Sequence, residues 1–534
     1  MTPAADPAAP PEENRTGGWL LLTGIVIATL TEAVAGTALA LGRFDILGDT
    51  LATPDEFAWL DISYVGLKLI GFIATPWLLT RFPARDVLLA STLLMGVACA
   101  LAAFIWRLDV LIPLRAVQGL AGASVLVSGQ ALLFLAYPRA RQPVLQALFA
   151  TGAVVAPATL APALQGWLVD SQSWTWIFLS VAPVALAAAG VILAADDVTL
   201  PVAEPAPFDG VGLALVGVGM LSLTYVLAQG ERWDWFEAPR IVFLSSLALA
   251  ALALLVLRRG RRPGPGLFDG TVFRSSDFTF ACLVSFVAGA ALLGSAYLIP
   301  TFAVSALAFT PTDAGLLLLP SGGLFVVSLL LSAGLFQARR VPPIATVPAG
   351  VLLFIAAMVL LAGANADSGA GTLAAPVLIR GFALGFLFLS ITLIAFSGLP
   401  DRNRAYGIGL FDAGRQIGGL IGIAGLQTLL NHQVVANQTV LGANITAGGP
   451  AVGERIASGA AALAARGLDP AVATKTALAG LARSISGQAT AIAFDTAFLA
   501  IALMFVVAAP LLIASKIGLA RFARRRAAAL PEEA

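Results

Sequence analysis

Fourteen long apolar runs constrain this chain more than any other feature. They lie at 19–41, 59–79, 87–106, 110–135, 144–168, 175–194, 210–228, 241–257, 278–299, 314–336, 344–363, 373–396, 405–429 and 493–515. A helix rises 1.5 Å per residue, so about 20 apolar residues cross the ~30 Å hydrocarbon core of a bilayer. With 534 residues, 59% of them hydrophobic and only 11% charged, and a mean hydropathy of +0.91, the pattern predicts an all-α membrane protein and excludes a soluble globular domain. The segment before the first run is Pro/Ala-rich and acidic, with Arg15 as its only cation. It lacks the basic start of a cleaved signal, so the first run reads as a retained span.

Basic residues set the expected orientation. Nineteen Lys and Arg fall in one alternate set of loops and termini and eight in the other, which predicts a multi-pass protein of the bacterial inner membrane with both termini cytoplasmic. Two longer connections, the acidic, Pro-rich 194–208 and the basic 258–277, divide the spans into six, two and six. The expected parts are a cytoplasmic tail at 1–18, a six-helix bundle at 19–195, a linker with two inserted helices at 196–262, and a second bundle at 263–515. The second bundle would carry an extracytoplasmic loop at 430–492, and a basic cytoplasmic tail would follow at 516–534. Within that loop, Asp469-Pro470 reads as a cap and first helical position, and Leu478, Leu481 and Ile485 read as one face of a short amphipathic helix.

The two six-span parts repeat each other. Arg115 lies near the outer end of the fourth span and Arg380 at a matching depth in the twelfth. Pro76 to Pro83 after the second span parallels Gly334 to Pro342 after the tenth, each with an arginine five residues past a helix breaker. Paired halves around a midplane site are a recurrent transporter architecture, in which rocking exposes the site to alternate sides.

Charges inside the spans mark that site, because each is costly in hydrocarbon and must be paired or hydrated. Glu32 and Lys68 fall near the midplane of the first and second spans. Paired, they would favour each other's charged forms, and we expect Glu32 to exchange a proton while Lys68 and Arg115 tune its affinity. A purely structural ion pair is the alternative. Asp61, Tyr64, Lys68, Gly71 and Thr75 share one helix face, as do Arg115, Gln118, Gly119 and Gly122, and both faces are expected to line water. Asp412, Arg415 and Gln416 in the thirteenth span, with Arg380, complete the expected substrate cavity, although Asp412 and Arg415 can also neutralise each other at i and i+3. Two acids, Glu32 and Asp412, stand against four bases, Lys68, Arg115, Arg380 and Arg415, a balance that favours anionic, zwitterionic or neutral amphipathic cargo. Cys99 and Cys282 lie in apolar runs and the single His432 in a polar segment, which leaves no metal or disulfide pattern. There is no phosphate-binding loop and no dinucleotide or zinc-hydrolase motif. No cofactor, enzyme chemistry or nucleic-acid partner is expected, and an ion gradient remains as the power source.

Several stretches resemble the major facilitator superfamily, and within it the fourteen-span drug:proton antiporters (EmrB/QacA-type multidrug exporters). Arg115-Ala-Val-Gln118-Gly119 with Gly122-Ala123 is similar to the family's fourth-helix motif, whose arginine is implicated in proton coupling. Ala161-Pro162-Ala-Leu-Gln165-Gly166-Trp167 resembles the antiporter motif Gly-Pro-x-x-Gly-Gly, and Trp174-Thr-Trp176-Ile-Phe178 follows it as in the family. Gln229 to Phe236 and Arg415-Gln416-Ile-Gly418-Gly419 are similar as well. The chain departs where the loop motif Gly-x-x-x-Asp-Arg-x-Gly-Arg keeps only Arg81 and Arg85, and where Glu32 stands one position from the family's usual aspartate. The resemblance implies a major facilitator fold of two pseudo-symmetric six-helix bundles plus two extra helices. It also implies a proton-coupled exporter of drugs, toxic organic acids or metabolites, with a periplasmic adaptor and an outer-membrane channel as partners. A dedicated natural-product or siderophore transporter, and a membrane sensor that kept the fold without transport, remain open at this point.

Overall fold

The computed structural model describes residues 18–196, 205–261, 266–267, 269–443, 445–446 and 449–528, with side chains placed up to residue 518. The expected N-terminal tail up to residue 17, the middle of the first linker, part of the basic linker and the last six residues of the C-terminal tail lie outside the described residues. The helices are α1 Trp19–Thr37, α2 Arg43–Thr50, α3 Pro54–Leu78, α4 Ala84–Ala102, α5 Leu108–Ala136, α6 Gln142–Ala150, α7 Ala161–Ser171, α8 Thr175–Ala194, α9 Gly210–Gln229, α10 Pro239–Arg261, α11 Ser276–Ser305, α12 Pro311–Gln337, α13 Val347–Leu361, α14 Ala370–Ser397, α15 Asp401–Ala443, α16 Pro450–Ala464 and α17 Pro470–Ala528. A π-helical stretch, Thr151–Leu160, joins α6 to α7 into one fifth span.

Thirteen helices among the described residues are long and apolar enough to cross a membrane. The remaining run, the thirteenth at 405–429, lies in α15, where Asp412, Arg415, Gln416 and seven glycines between 407 and 425 dilute the apolar content. It packs inside the bundle against α11, α17 and α3. Local signals set several starts: Thr53 caps α3 in a reciprocal pair with Glu56, and Thr310 caps α12, each satisfying an otherwise orphan N–H.

The stretch 430–492 is not the loop that its Ala/Gly content suggests. α15 runs 43 residues, about 64 Å, and α17 runs 59. Asp469 caps α17 as expected, accepting from the N–H groups of Ala471 and Val472. The helix it starts does not end after a few turns, because no proline interrupts it before Pro510. α16 packs along α17.

Packing within the first six spans recurs in the last six. α5 lies on α3 and α4, and α8 on α1 and α4; likewise α14 lies on α12 and α13, and α17 on α11 and α13. Small residues permit the approach in both halves: a Cβ at Gly119 would stand 2.0 Å from the Tyr64 carbonyl oxygen, and one at Gly381 would stand 2.2 Å from that of Ser321. The inserted pair, α9 and α10, pack on each other, and α9 touches both α3 and α15, so it bridges the halves.

Two seams join the halves. Along one, α6, the π stretch and α7 lie against α12, with Gly166 under the Pro311 carbonyl and Gly315 under that of Pro162. Along the other, Gly409 of α15 abuts the Phe72 carbonyl of α3. The end of the bundle that carries Arg139 and Arg404 is plugged by aromatic rings: Phe134 stacks edge-on to Phe396 at 5.4 Å, Phe396 to Phe411 at 5.2 Å, and Arg404 covers Phe134 at 5.3 Å.

Candidate functional site

Glu32 is fixed by α1 at mid-span and is 3% exposed. Lys68 Nζ and the Tyr64 hydroxyl, both from α3, donate to the same oxygen, Glu32 Oε1. A lysine ammonium and a carboxylate out of water stabilise each other only if the remaining lone pairs are also met, and the tyrosine supplies one such bond. Space for the carboxylate comes from two glycines: a Cβ at Gly122 would lie 2.9 Å from Glu32 Cγ, and one at Gly36 would lie 2.9 Å from Glu32 Oε1.

Arg115 lies next to this pair without joining it. Its Nη1 donates to the Ala35 carbonyl at 2.8 Å and to Gln118 Oε1 at 3.0 Å, while Gln118 is anchored to the Ala98 carbonyl. The guanidinium lies 4.1 Å over the Tyr64 ring and 5.9 Å from that of Phe178. Aromatic faces disperse its charge where no carboxylate pairs with it. Tyr64 therefore touches Arg115 with its ring and Glu32 with its hydroxyl.

The second half contributes Asp412 and Arg415, paired at 2.8 Å across one turn of α15. The helices that carry Lys68 and Asp412, α3 and α15, pack against each other, with Gly409 against the Phe72 carbonyl. Arg415 also covers the Phe388 ring of α14 at 5.2 Å.

Most of the residues expected to line water do not. Arg115 and Gln118 are buried, as are Tyr64 and Lys68, because the small residues of α5 let the polar face of α3 close on it. Gly71 meets Ala123 of α5, and Thr75 bonds Ser124 at 3.0 Å. Only Asp61 on that face is exposed, and the cations acting on it are Arg115 and Arg43. Gly119 and Gly122 are positions of close approach, the first to the Tyr64 backbone and the second to the Glu32 side chain. Gln416 is half-buried with no hydrogen bond holding its amide. Arg380 is buried in α14, and its Nε donates to Ser295 at 2.8 Å.

The antiporter-like stretch belongs to the interface between the halves. Gln165 donates to the Val34 carbonyl and to Thr37 Oγ1, tying α7 to α1. Pro162 and Gly166 provide the flat contact with α12. Asp170, which sequence spacing does not single out, accepts from Thr312 N at 2.8 Å and Thr312 Oγ1 at 2.5 Å, so a carboxylate of one half caps a helix of the other. In the eroded loop motif, Arg85 caps the C-terminus of α8 through the carbonyls of Ile192, Leu193 and Ala195. Arg81 stacks on Trp77 at 4.9 Å and bonds the linker carbonyl of Ala206. Neither arginine reaches the second half in these contacts.

Two further charges escape a reading by spans. Arg404 looks like a loop residue but is buried and pairs with Asp401. Asp495 falls inside the last apolar run, a signal visible in the sequence, and its Oδ1 is buried without a hydrogen bond.

The Major Facilitator Superfamily model matches residues 21–423. The chain is 30% identical over 414 residues to the multidrug export protein EmrB of Haemophilus influenzae, an alignment covering 76% of this chain and 79% of that protein. It is 28% identical over 409 residues to EmrB of Escherichia coli K12, covering 76% and 78%. Identity is 25% over 420 residues to the tetracenomycin C resistance and export protein of Streptomyces glaucescens, covering 78% and 76%. The chain is therefore a multi-pass membrane transporter, not an enzyme, and it belongs to the major facilitator superfamily.

Proposed function

We propose that this chain is a proton-coupled exporter of amphipathic organic compounds, working by alternating access across the inner membrane. The observation that carries the reading is a set of two ion pairs, Glu32 with Lys68 and Asp412 with the half-buried Arg415, placed in the two halves on helices α3 and α15 that pack together. As paired, the set is neutral and supports close contact of α3 with α15. A proton on Glu32 leaves a net positive charge at the seam, which is costly in low dielectric and is relieved when the seam hydrates.

With the basic end taken as cytoplasmic, the aromatic plug shuts the inner side while Asp61 faces solvent on the outer side. Protonation from outside then favours opening inward, where the proton leaves and cargo enters; the neutral pairs carry cargo back. Arg115, stacked on Tyr64, positions the tyrosine that holds Glu32. The protruding ends of α15 and α17 with α16, where Val435 and Leu478 are exposed, offer a surface for an extracytoplasmic adaptor. The test is proton movement in proteoliposomes on addition of a transported dye. The intact protein moves protons against cargo, and Glu32→Gln exchanges cargo without them; coupled movement that survives in Glu32→Gln removes the residue from the mechanism.

A further inference from the structure

Arg115 and Arg380 occupy matching positions in the two halves, and their surroundings differ. Arg115 has two carbonyl-type acceptors and two aromatic faces. Arg380 is 1% exposed, its one hydrogen-bond partner is the hydroxyl of Ser295, and its Nη2 has none. Among the described residues no carboxylate pairs with it, and no aromatic ring covers it as Tyr64 covers Arg115. A guanidinium stays charged, so the fold maintains a buried cation whose counter-charge the described residues do not supply.

Its position says what could supply one. On α14, Arg380, Leu384 and Leu387 are spaced 4 and 3 and share a face; on α11, Leu292 and Ser295 do the same. Leu384, Leu387 and Leu292 line a cavity of about 20 Å³ that Phe325, Phe388, Phe411 and Phe505 wall with aromatic rings. Arg380 and Ser295 thus lie one turn beyond that cavity toward the outer end. Arg415 also lines it, but its charge is met by Asp412.

We propose that Arg380, with Ser295, is the anion-recognition point of the cargo site. It receives the carboxylate, or a like acidic group, of an amphipathic compound whose apolar body enters the aromatic cavity. This deepens the exporter reading and rests on it for the route that cargo takes, though not for binding. Arg380 lies ten residues from the outer end of α14, about 15 Å along the helix.

The test measures binding of decanoate, decanol and decyltrimethylammonium to the full-length protein in phosphatidylcholine nanodiscs, with a parallel set containing phosphatidylglycerol. Arg380→Gln is expected to weaken decanoate binding about tenfold or more, the typical loss of a charge-assisted hydrogen bond. Decanol binding is retained, Arg380→Lys recovers part of the decanoate affinity, and Ser295→Ala lowers it less. Retained decanol binding also shows that the variant is folded. Equal loss of decanoate and decanol, no loss of either, or displacement of decanoate by phosphatidylglycerol overturns the assignment. Binding is read without a proton gradient, so failure of proton coupling through Glu32 would leave this result unchanged.

Discussion

Glu32 and Lys68 are held by each other, and removing one strands the other. Lys68→Met or Glu32→Gln alone should therefore destabilise the protein more than the double substitution does. Breaking a buried pair from one side costs roughly 3–5 kcal/mol, whereas replacing both partners is often near neutral. Thermal unfolding in detergent checks this through a double-mutant cycle, and additive losses would mean that the pair is not coupled. Gly119 gives a second single-residue prediction. Its would-be Cβ meets backbone, the Tyr64 carbonyl oxygen at 2.0 Å, rather than a movable side-chain tip, so Gly119→Ala should cost on the order of 1–3 kcal/mol. It should also shift Tyr64 off Arg115. Gly190, which meets nothing within 4 Å, should tolerate alanine in the same assay.

Two helix starts carry further predictions because each is capped by a carboxylate with more than one partner. Asp170 of α7 caps α12 across the halves, so Asp170→Ala should lower stability by about 1 kcal/mol, the usual worth of a cap, and loosen the outer end of that seam. Accelerated disulfide exchange or labelling of a cysteine placed at Ala163, a buried residue beside Gly315 on that seam, would report the loosening; unchanged labelling would show that the glycine contacts alone hold the seam. Asp209, the cap of α9, also pairs with Arg258 of α10 at 2.6 Å. Burial opposes its ionisation, but the Gly212 N–H and the Arg258 guanidinium outweigh that and hold its carboxyl below the ordinary range. A carboxyl depressed by folding contributes stability above its unfolded pKa, about 3.9, and loses it as pH falls through the folded value. The stability gap between the intact protein and Asp209→Asn should thus be full at pH 7 and close below about pH 4; a gap independent of pH would contradict the pairing.

Much of the architecture is legible in the sequence because a bilayer leaves few ways to satisfy a backbone. The apolar runs, the Glu32 and Lys68 pair at mid-span, the Asp412 and Arg415 turn pair and the Asp469 cap all follow from length, local spacing or charge. What stays hidden is what a face meets. Spacing puts Tyr64, Lys68 and Thr75 on one side of α3, but whether that side meets water or α5 depends on Gly119 and Gly122, 44 or more residues away, fitting against it. The stack of Arg115 on Tyr64 and the capping of α12 by Asp170, 142 residues before Thr312, are likewise products of assembly. The end of α17 is illegible for a different reason: Ala-rich sequence without proline carries a helix well past the membrane, and composition alone reads it as loop.

For the whole molecule, the account makes the charge on Glu32 the variable that selects which end is open. Spin labels at positions 82 and 344, exposed residues near the basic ends of the two halves, test that most directly through the distance between them. In the intact protein the distance distribution should lengthen as pH is lowered, and in Glu32→Gln, which mimics the protonated carboxyl, it should be shifted toward the long distance and independent of pH. A pH-driven lengthening that persists unchanged in Glu32→Gln, or no change of distance with pH in the intact protein, would contradict it.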